Sequence, residues 1–150
     1  MASAGRTQES ETRQVAALPW RRTGAGVVEV LMITSRETRR WVIPKGGRMI
    51  GKTDAEAAAV EAYEEAGVQG VLNHEPIGHF RYAKRLRTGD DKACVVAVYP
   101  LEVLIQLGGF PEQGQRDLRW MARDMAADSV HEADLAELIR AFEPSADAAG

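Results

Sequence analysis

Residues 46–68 read GGRMIGKTDAEAAAVEAYEEAGV, and the reading of the whole chain starts from them. The glycine pair opens a loop. Thr53 or Asp54 can cap the helix that follows, and Ala55, Ala57, Ala58, Ala59 and Ala62 give residues 53–66 high helix propensity. Gly67 falls where a helix takes a C-terminal glycine. On this helix Glu61, Glu64 and Glu65 are three and four positions apart, so their carboxylates share a face. Ala55, Ala58, Ala59, Ala62 and Ala66 form a slim opposite face that can lie close to a sheet. No lysine or arginine inside the helix relieves the repulsion among the three acids. Such a face is either simply solvated or neutralised by a divalent cation, and clustered carboxylates are the ligands that Mg²⁺ or Mn²⁺ takes.

Outward from the helix, the upstream residues alternate strands and turns. Residues 14–20 read as a first strand ending at Pro19, 24–26 as a turn, and 27–34 as a strongly apolar strand. Trp41 to Ile43 is a short strand that Pro44 halts, since proline supplies no ladder donor, and Lys45-Gly46-Gly47 begins the loop. Downstream, 71–72, 77–82 and 93–104 read as strands, with 87–92 as a connecting loop and 118–121 as a short last strand. Residues 124–127 and 130–142 read as helices, the latter with Leu135, Leu138, Ile139 and Phe142 at core spacing. No internal repeat or linker interrupts this order. It predicts the α/β (α+β) class, with a mixed sheet between helices. One domain over 13–143 is expected, after a disordered lead-in at 1–12 and before a flexible tail at 144–150.

The bulk properties exclude several classes. A chain of 150 residues, 45% hydrophobic and 27% charged, has the composition and size of one soluble domain. It has no apolar run of about 18 residues for a membrane span, and residues 1–13 lack the apolar core of a secretory signal. Its single cysteine, Cys94, sits in the apolar run 93–99 and reads as a small buried hydrophobe, which makes a cytoplasmic setting the expectation. A net charge of −3 argues against general nucleic-acid binding but leaves room for a small anionic partner. The basic residues are uneven: Arg36, Arg39 and Arg40 precede the glycine loop, and His79, Arg81, Lys84, Arg85, Arg87 and Lys92 share one short span.

The spacing carries more than the acidic face alone. Gly46, five residues, Lys52, seven residues, then Val60-Glu61-Ala62-Tyr63-Glu64-Glu65-Ala66-Gly67-Val68 resembles the Nudix box, and Trp41-Val42-Ile43-Pro44-Lys45-Gly46-Gly47 resembles that family's lead-in. The resemblance implies a Nudix-type α/β/α sandwich with a mixed central sheet and a loop-helix-loop. It implies metal-dependent hydrolysis of a phosphoanhydride bond with Mg²⁺ or Mn²⁺ as cofactor. Glu61 and Glu65 would then be metal ligands, helped by the backbone carbonyl of Lys45 or Gly46. Glu64 would ligate a metal or act as general base on the attacking water. Two positions depart from the box: Lys52 replaces its first glutamate, and Val60 replaces an arginine that pairs with a catalytic glutamate.

Beyond the box, residues 14–21, 30–36, 40–41, 77–80 and 118–121 resemble the diphosphoinositol polyphosphate and diadenosine polyphosphate phosphohydrolase branch. A substrate with many phosphates needs cations outside the metal site, for which arginine's donor fork is suited. Candidates are Arg13, Arg36, Arg40, Arg81, Lys84, Arg85, Arg87, Lys92 and Arg116, with the 79–92 hairpin the best group. The expected partner is a small phosphorylated metabolite, not a nucleic acid or a membrane, acted on by a monomer or homodimer. The competing expectation, raised by Val60, is a catalytically weak domain that senses a phosphorylated ligand.

Overall fold

A computed structural model describes residues 11–145, so the expected lead-in and tail lie largely outside the described residues. The first strand, β1 (Thr12–Arg22), begins two residues earlier than expected and runs through Pro19. It pairs in parallel with the long strand β7 (Asp91–Gln106) from Thr12↔Cys94 to Trp20↔Glu102. This parallel pair is the axis of a mixed eight-stranded sheet.

Each axial strand opens a fork on its outer edge. β1 pairs with β2 (Val28–Thr34) only at Trp20–Arg22, then with β4 (Lys45–Gly47) at Gln14–Ala16. β3 (Trp41–Val42) pairs with the far end of β2, so residues 41–47 fill the space where β1 and β2 diverge. Lys45–Gly47 is therefore a strand rather than the expected loop, because β1 presents an unpaired edge there. Pro19 falls in the same gap: Ala17 N–H donates to the Pro44 carbonyl at 3.0 Å, and the nitrogen two residues on points to that same edge. The missing donor therefore breaks no ladder bond.

β7 repeats the arrangement. It pairs with β6 (Gly78–Arg85) over Asp91–Val98 and with β5 (Val68–Leu72) over Leu101–Gln106. Pro100 lies between the two partners, with its carbonyl accepting from Asn73 N–H at 3.0 Å. β8 (Leu118–Ala122) completes the sheet on the outer edge of β2.

Helices cover both faces. α1 (Asp54–Ala66) buries Ala55, Ala57, Ala58, Ala62 and Ala66 against Val15, Ala17, Leu31 and Ile33. Of the predicted alanine face, Ala59 is only half-buried and Ala57 takes its place in the core. On the other face, α2 (Arg123–Ser129) and α3 (Ala133–Ala141) pack Ala126, Ala127, Leu135 and Ile139 against Ala16, Leu18, Val30 and Met32. Alternate residues of β1 thus enter opposite cores, and 15–20 are all buried. The result is the α/β/α sandwich. Among the described residues, no helix is long and apolar enough to cross a membrane.

Candidate functional site

α1 is fixed at both ends by its own sequence. Glu56 N–H donates to Thr53 Oγ1 at 3.1 Å and Thr53 N–H donates to Glu56 Oε1 at 2.8 Å, a reciprocal cap. At the other end Gly67 is left-handed, with φ of 69°, and its N–H closes on the Tyr63 carbonyl at 3.0 Å. With the alanine face against the sheet, Glu61 and Glu65 are carried into a cleft of about 510 Å³. Its lining also includes Gln14 of β1, residues 35–38, Lys45 to Gly47 of β4, Tyr82 and Lys84 of β6, and Glu112 and Arg116.

β4 brings its backbone against the two carboxylates. A Cβ added to Gly46 would lie 2.3 Å from both Cδ and Oε2 of Glu61, so only glycine allows this approach. Lys45 N–H donates to Glu65 Oε1 at 3.4 Å. Glu65 is only 7% exposed. Burial pushes its carboxyl up to about 8, reinforced by a hydrogen bond with Glu61 and opposed by Arg116. Burial also raises Glu61, against the lowering effect of the bond with Glu65. Two raised carboxyls side by side disfavour carrying both negative charges uncompensated.

A group that compensates these charges must satisfy hard oxygen donors at close range. Two converging carboxylates beside an open glycine backbone suit a divalent cation such as Mg²⁺ or Mn²⁺. Among the described residues, no three acidic, histidine or cysteine side chains already form a cation cage. The structure brings Glu61 and Glu65 together. Glu64, half-buried, does not line the cleft, and its backbone carbonyl accepts from Glu112 N–H at 2.9 Å.

The sequence reading missed Glu112. It is the lone acid of the glycine-rich stretch 107–116, and nothing periodic marks it. Its partner is Arg116, whose side chain is 10% exposed. Arg116 donates from Nε to Glu112 Oε1 at 3.1 Å and from Nη1 to the Thr34 carbonyl at 3.1 Å. Its Nη2 lies 3.0 Å from Glu112 Oε1 and 3.8 Å from Glu65 Oε1. Arg116 was expected to meet substrate, and it lies in the cleft with its fork turned onto the protein's own acids.

The side chain of Lys45, as opposed to its carbonyl, also went unread. Its Nζ lies 4.8 Å above the Tyr82 ring, whose hydroxyl donates to Gln14 Oε1 at 2.7 Å. Burial lowers the Lys45 amine below its ordinary value, with Glu65 and Glu132 pulling the other way. Burial likewise raises the Tyr82 phenol.

Three of the predicted cations line the cleft: Arg36, Lys84 and Arg116. Arg36 donates to Gln115 Oε1 at 3.2 Å. Lys84 stands directly opposite Lys92 in the β6–β7 ladder, so two like charges share one face. Arg13, Arg40, Arg81, Arg85 and Lys92 are not in the lining. Arg40 Nε donates to Thr38 Oγ1, Arg81 faces Glu11, and Arg85 pairs with Asp91 inside its own hairpin. Arg39, left-handed at φ of 57°, ties the 35–40 loop to Asp117 at 2.9 Å and to the Gln115 carbonyl at 3.2 Å.

Comparison with known proteins follows the same lines. A family model described as NUDIX domain matches residues 10–142. The chain is 37% identical over 97 residues to Nudix hydrolase 12, mitochondrial, of Arabidopsis thaliana, covering 63% of this chain and 48% of that protein. Nudix hydrolase 21, chloroplastic, of the same plant is 31% identical over 131 residues, 85% of this chain and 64% of that one. The chain spans about half the length of several curated relatives it matches. In fold it is similar to a C. elegans Ap4A hydrolase in a binary complex, with a TM-score of 0.63 and 21% identity over 86% of this chain and 93% of that one. The NUDIX domain of Shewanella oneidensis NrtR, complexed with ADP ribose, gives 0.62 and 14% identity over 87% and 86%.

Proposed function

Because the chain belongs to the Nudix family, we propose that it hydrolyses a phosphoanhydride bond in a nucleoside-diphosphate-linked or polyphosphorylated metabolite, with Mg²⁺ or Mn²⁺ as cofactor. Diadenosine polyphosphates and diphosphoinositol polyphosphates are the first substrates to try. The observation that carries this reading is the seat of Glu61 and Glu65 against the Gly46 backbone, in a cleft that also holds Arg36, Lys45 and Lys84. The C. elegans neighbour, whose name is Ap4A hydrolase, and the ADP-ribose-bound neighbour support a nucleotide-like substrate.

A polyphosphate resists water because its oxygens carry dense negative charge, and a bound divalent cation supplies the neutralisation. Glu61 and Glu65 would hold that cation, with the Lys45 or Gly46 carbonyl beside them. Arg36 and Lys84 meet the outlying phosphates, and the Lys84–Lys92 pair gains stability from an anion laid across it. Glu112 is paired with Arg116 at 3.0 Å. The half-buried Glu64 has no ion-pair partner among the described residues, and once its side chain turns to the cleft it would either ligate the cation or take the proton of the attacking water. The lone buried thiol of Cys94 supports a reducing compartment, the cytoplasm first; the named plant relatives are mitochondrial and chloroplastic.

A panel of dinucleoside polyphosphates, nucleoside triphosphates and inositol pyrophosphates, with Mg²⁺ or Mn²⁺, tests the reading. Glu64→Gln and Glu65→Gln are each expected to lower kcat by about 10²–10⁴-fold. Turnover that survives both substitutions, or survives chelation of the metal, contradicts it. Val60, in place of a cation beside the acids, favours the second reading of a phosphorylated-ligand sensor. Tight binding of one panel member with no turnover selects that one.

A further inference from the structure

Glu65 is the most enclosed acid of the chain's described residues, and its own helix offers it another acid, Glu61, but no cation. α1 has no basic residue in its last turn. Val60, one residue before Glu61, turns instead to an apolar groove with Tyr63, Val68 and Leu101 on the β5 side. Three acids, Glu61, Glu65 and Glu112, nevertheless share one cleft. Burying them without a fixed cation leaves their positions to mutual repulsion.

The cation that reaches them comes from outside the helix. Arg116 is nearly enclosed and anchored at its base. It donates to the Thr34 carbonyl at the end of β2, and its neighbour Asp117 exchanges two bonds with Thr34: Asp117 N–H to Thr34 Oγ1 at 2.9 Å, and Thr34 N–H to the Asp117 carbonyl at 3.0 Å. From that anchor the guanidinium binds Glu112 through two nitrogens and stands 3.8 Å from Glu65 Oε1. The Glu112 N–H in turn holds the Glu64 carbonyl at 2.9 Å, tying the loop to the last turn of α1.

We propose that Arg116 is the positioning residue for Glu65, supplying from the loop before β8 the fixed cation that α1 lacks at position 60. This rests on the hydrolase reading for its kinetic consequences, though not for its effect on cation binding. A guanidinium is suited to the task because its planar fork binds Glu112 and the Thr34 carbonyl while its charge stays 3.8 Å from Glu65 Oε1, which a lysine amine does not reproduce. It departs from the expectation that Arg116 contacts substrate phosphate.

The test compares Arg116→Met and Arg116→Lys with the wild type in two assays. Mn²⁺ binding to the metal-free protein is read by electron paramagnetic resonance, without substrate. Steady-state hydrolysis of diadenosine tetraphosphate is split into kcat and KM. Loss of a group that orients a ligand costs about 10- to 100-fold in metal affinity or activity. Arg116→Met is therefore expected to weaken Mn²⁺ binding by at least about 10-fold and to lower kcat similarly, with KM nearly unchanged. Arg116→Lys recovers part of both. Unchanged Mn²⁺ affinity in both variants, or a rise in KM with kcat intact, overturns the proposal and makes Arg116 a substrate contact. If Arg116→Met does not fold, Arg116→Lys decides by the same two readings. If the wild type does not cleave diadenosine tetraphosphate, the hydrolysis reading loses that substrate while the Mn²⁺ assay still judges Arg116.

Discussion

The two sides of the cleft are built by opposite means. On the α1 side, Glu61, Glu65 and Glu112 are drawn together under cover and tied by Arg116, Gly46 and the Lys45 amide. On the hairpin side, Lys84 and Lys92 stand opposite each other, Lys84 in solvent, and Arg81 and Arg85 pair with acids outside the cleft. The acidic side is over-determined by protein contacts; the basic side is left for a ligand to complete. Chemistry that needs fixed geometry belongs to the first, and recognition that tolerates different phosphate chains belongs to the second.

The sharpest way to break this contrast is to disturb the acidic side by one methyl group. Gly46→Ala places a Cβ 2.3 Å from the Glu61 carboxylate, which is the movable end of a side chain. The fold is expected to survive, with a normal circular dichroism spectrum, while turnover falls by about 10²-fold because a small misplacement of a reacting group costs that much. Near-normal turnover in a folded Gly46→Ala protein would show that the close approach of β4 to Glu61 does not matter.

A second prediction sharpens the contrast through pH. Burial raises the Glu65 carboxyl from 4.5 to about 8, so the folded state prefers it protonated. Its stabilising contribution is therefore whole below 4.5 and is lost as pH rises toward 8. In the absence of metal, the melting temperature is expected to fall across that window, and Glu65→Gln should flatten the fall. Added Mn²⁺ should restore stability at the upper end, where the acid is ionised. A melting temperature that rises from pH 5 to pH 8 in wild type without metal would contradict the raised Glu65 carboxyl.

The smallest effects belong to the basic side. Lys84→Ala and Lys92→Ala are expected to raise KM by a few-fold each, with kcat kept, and to weaken the dependence of KM on ionic strength. A loss of kcat in either variant would move that lysine into the catalytic side.

These contrasts also mark what the sequence could show. α1 was legible because its signals are local: a cap at Thr53, a run of alanines, a glycine at 67 and acids at helical spacing. The strands were legible from apolar runs, the one over 93–104 already passing through Pro100, while the first was expected to end at Pro19. Pro19 and Pro100 sit inside long strands because each falls in a fork, a property of the sheet rather than of neighbouring residues. For the same reason Lys45-Gly46-Gly47 is a strand without strand-forming residues. Glu112 was invisible, since a loop acid far along the chain meets α1 only through the fold. Arg116 was visible as a cation, but no pattern states whether a guanidinium faces a substrate or a buried glutamate.

The most direct measurement is steady-state hydrolysis of diadenosine tetraphosphate and of a diphosphoinositol polyphosphate by the wild type and Glu65→Gln, each with Mg²⁺ and after chelation. Cleavage that requires the metal and falls by about 10²-fold or more in Glu65→Gln is the predicted result. Cleavage that persists in Glu65→Gln or after chelation, or the absence of cleavage of any polyphosphate by the wild type, would contradict it.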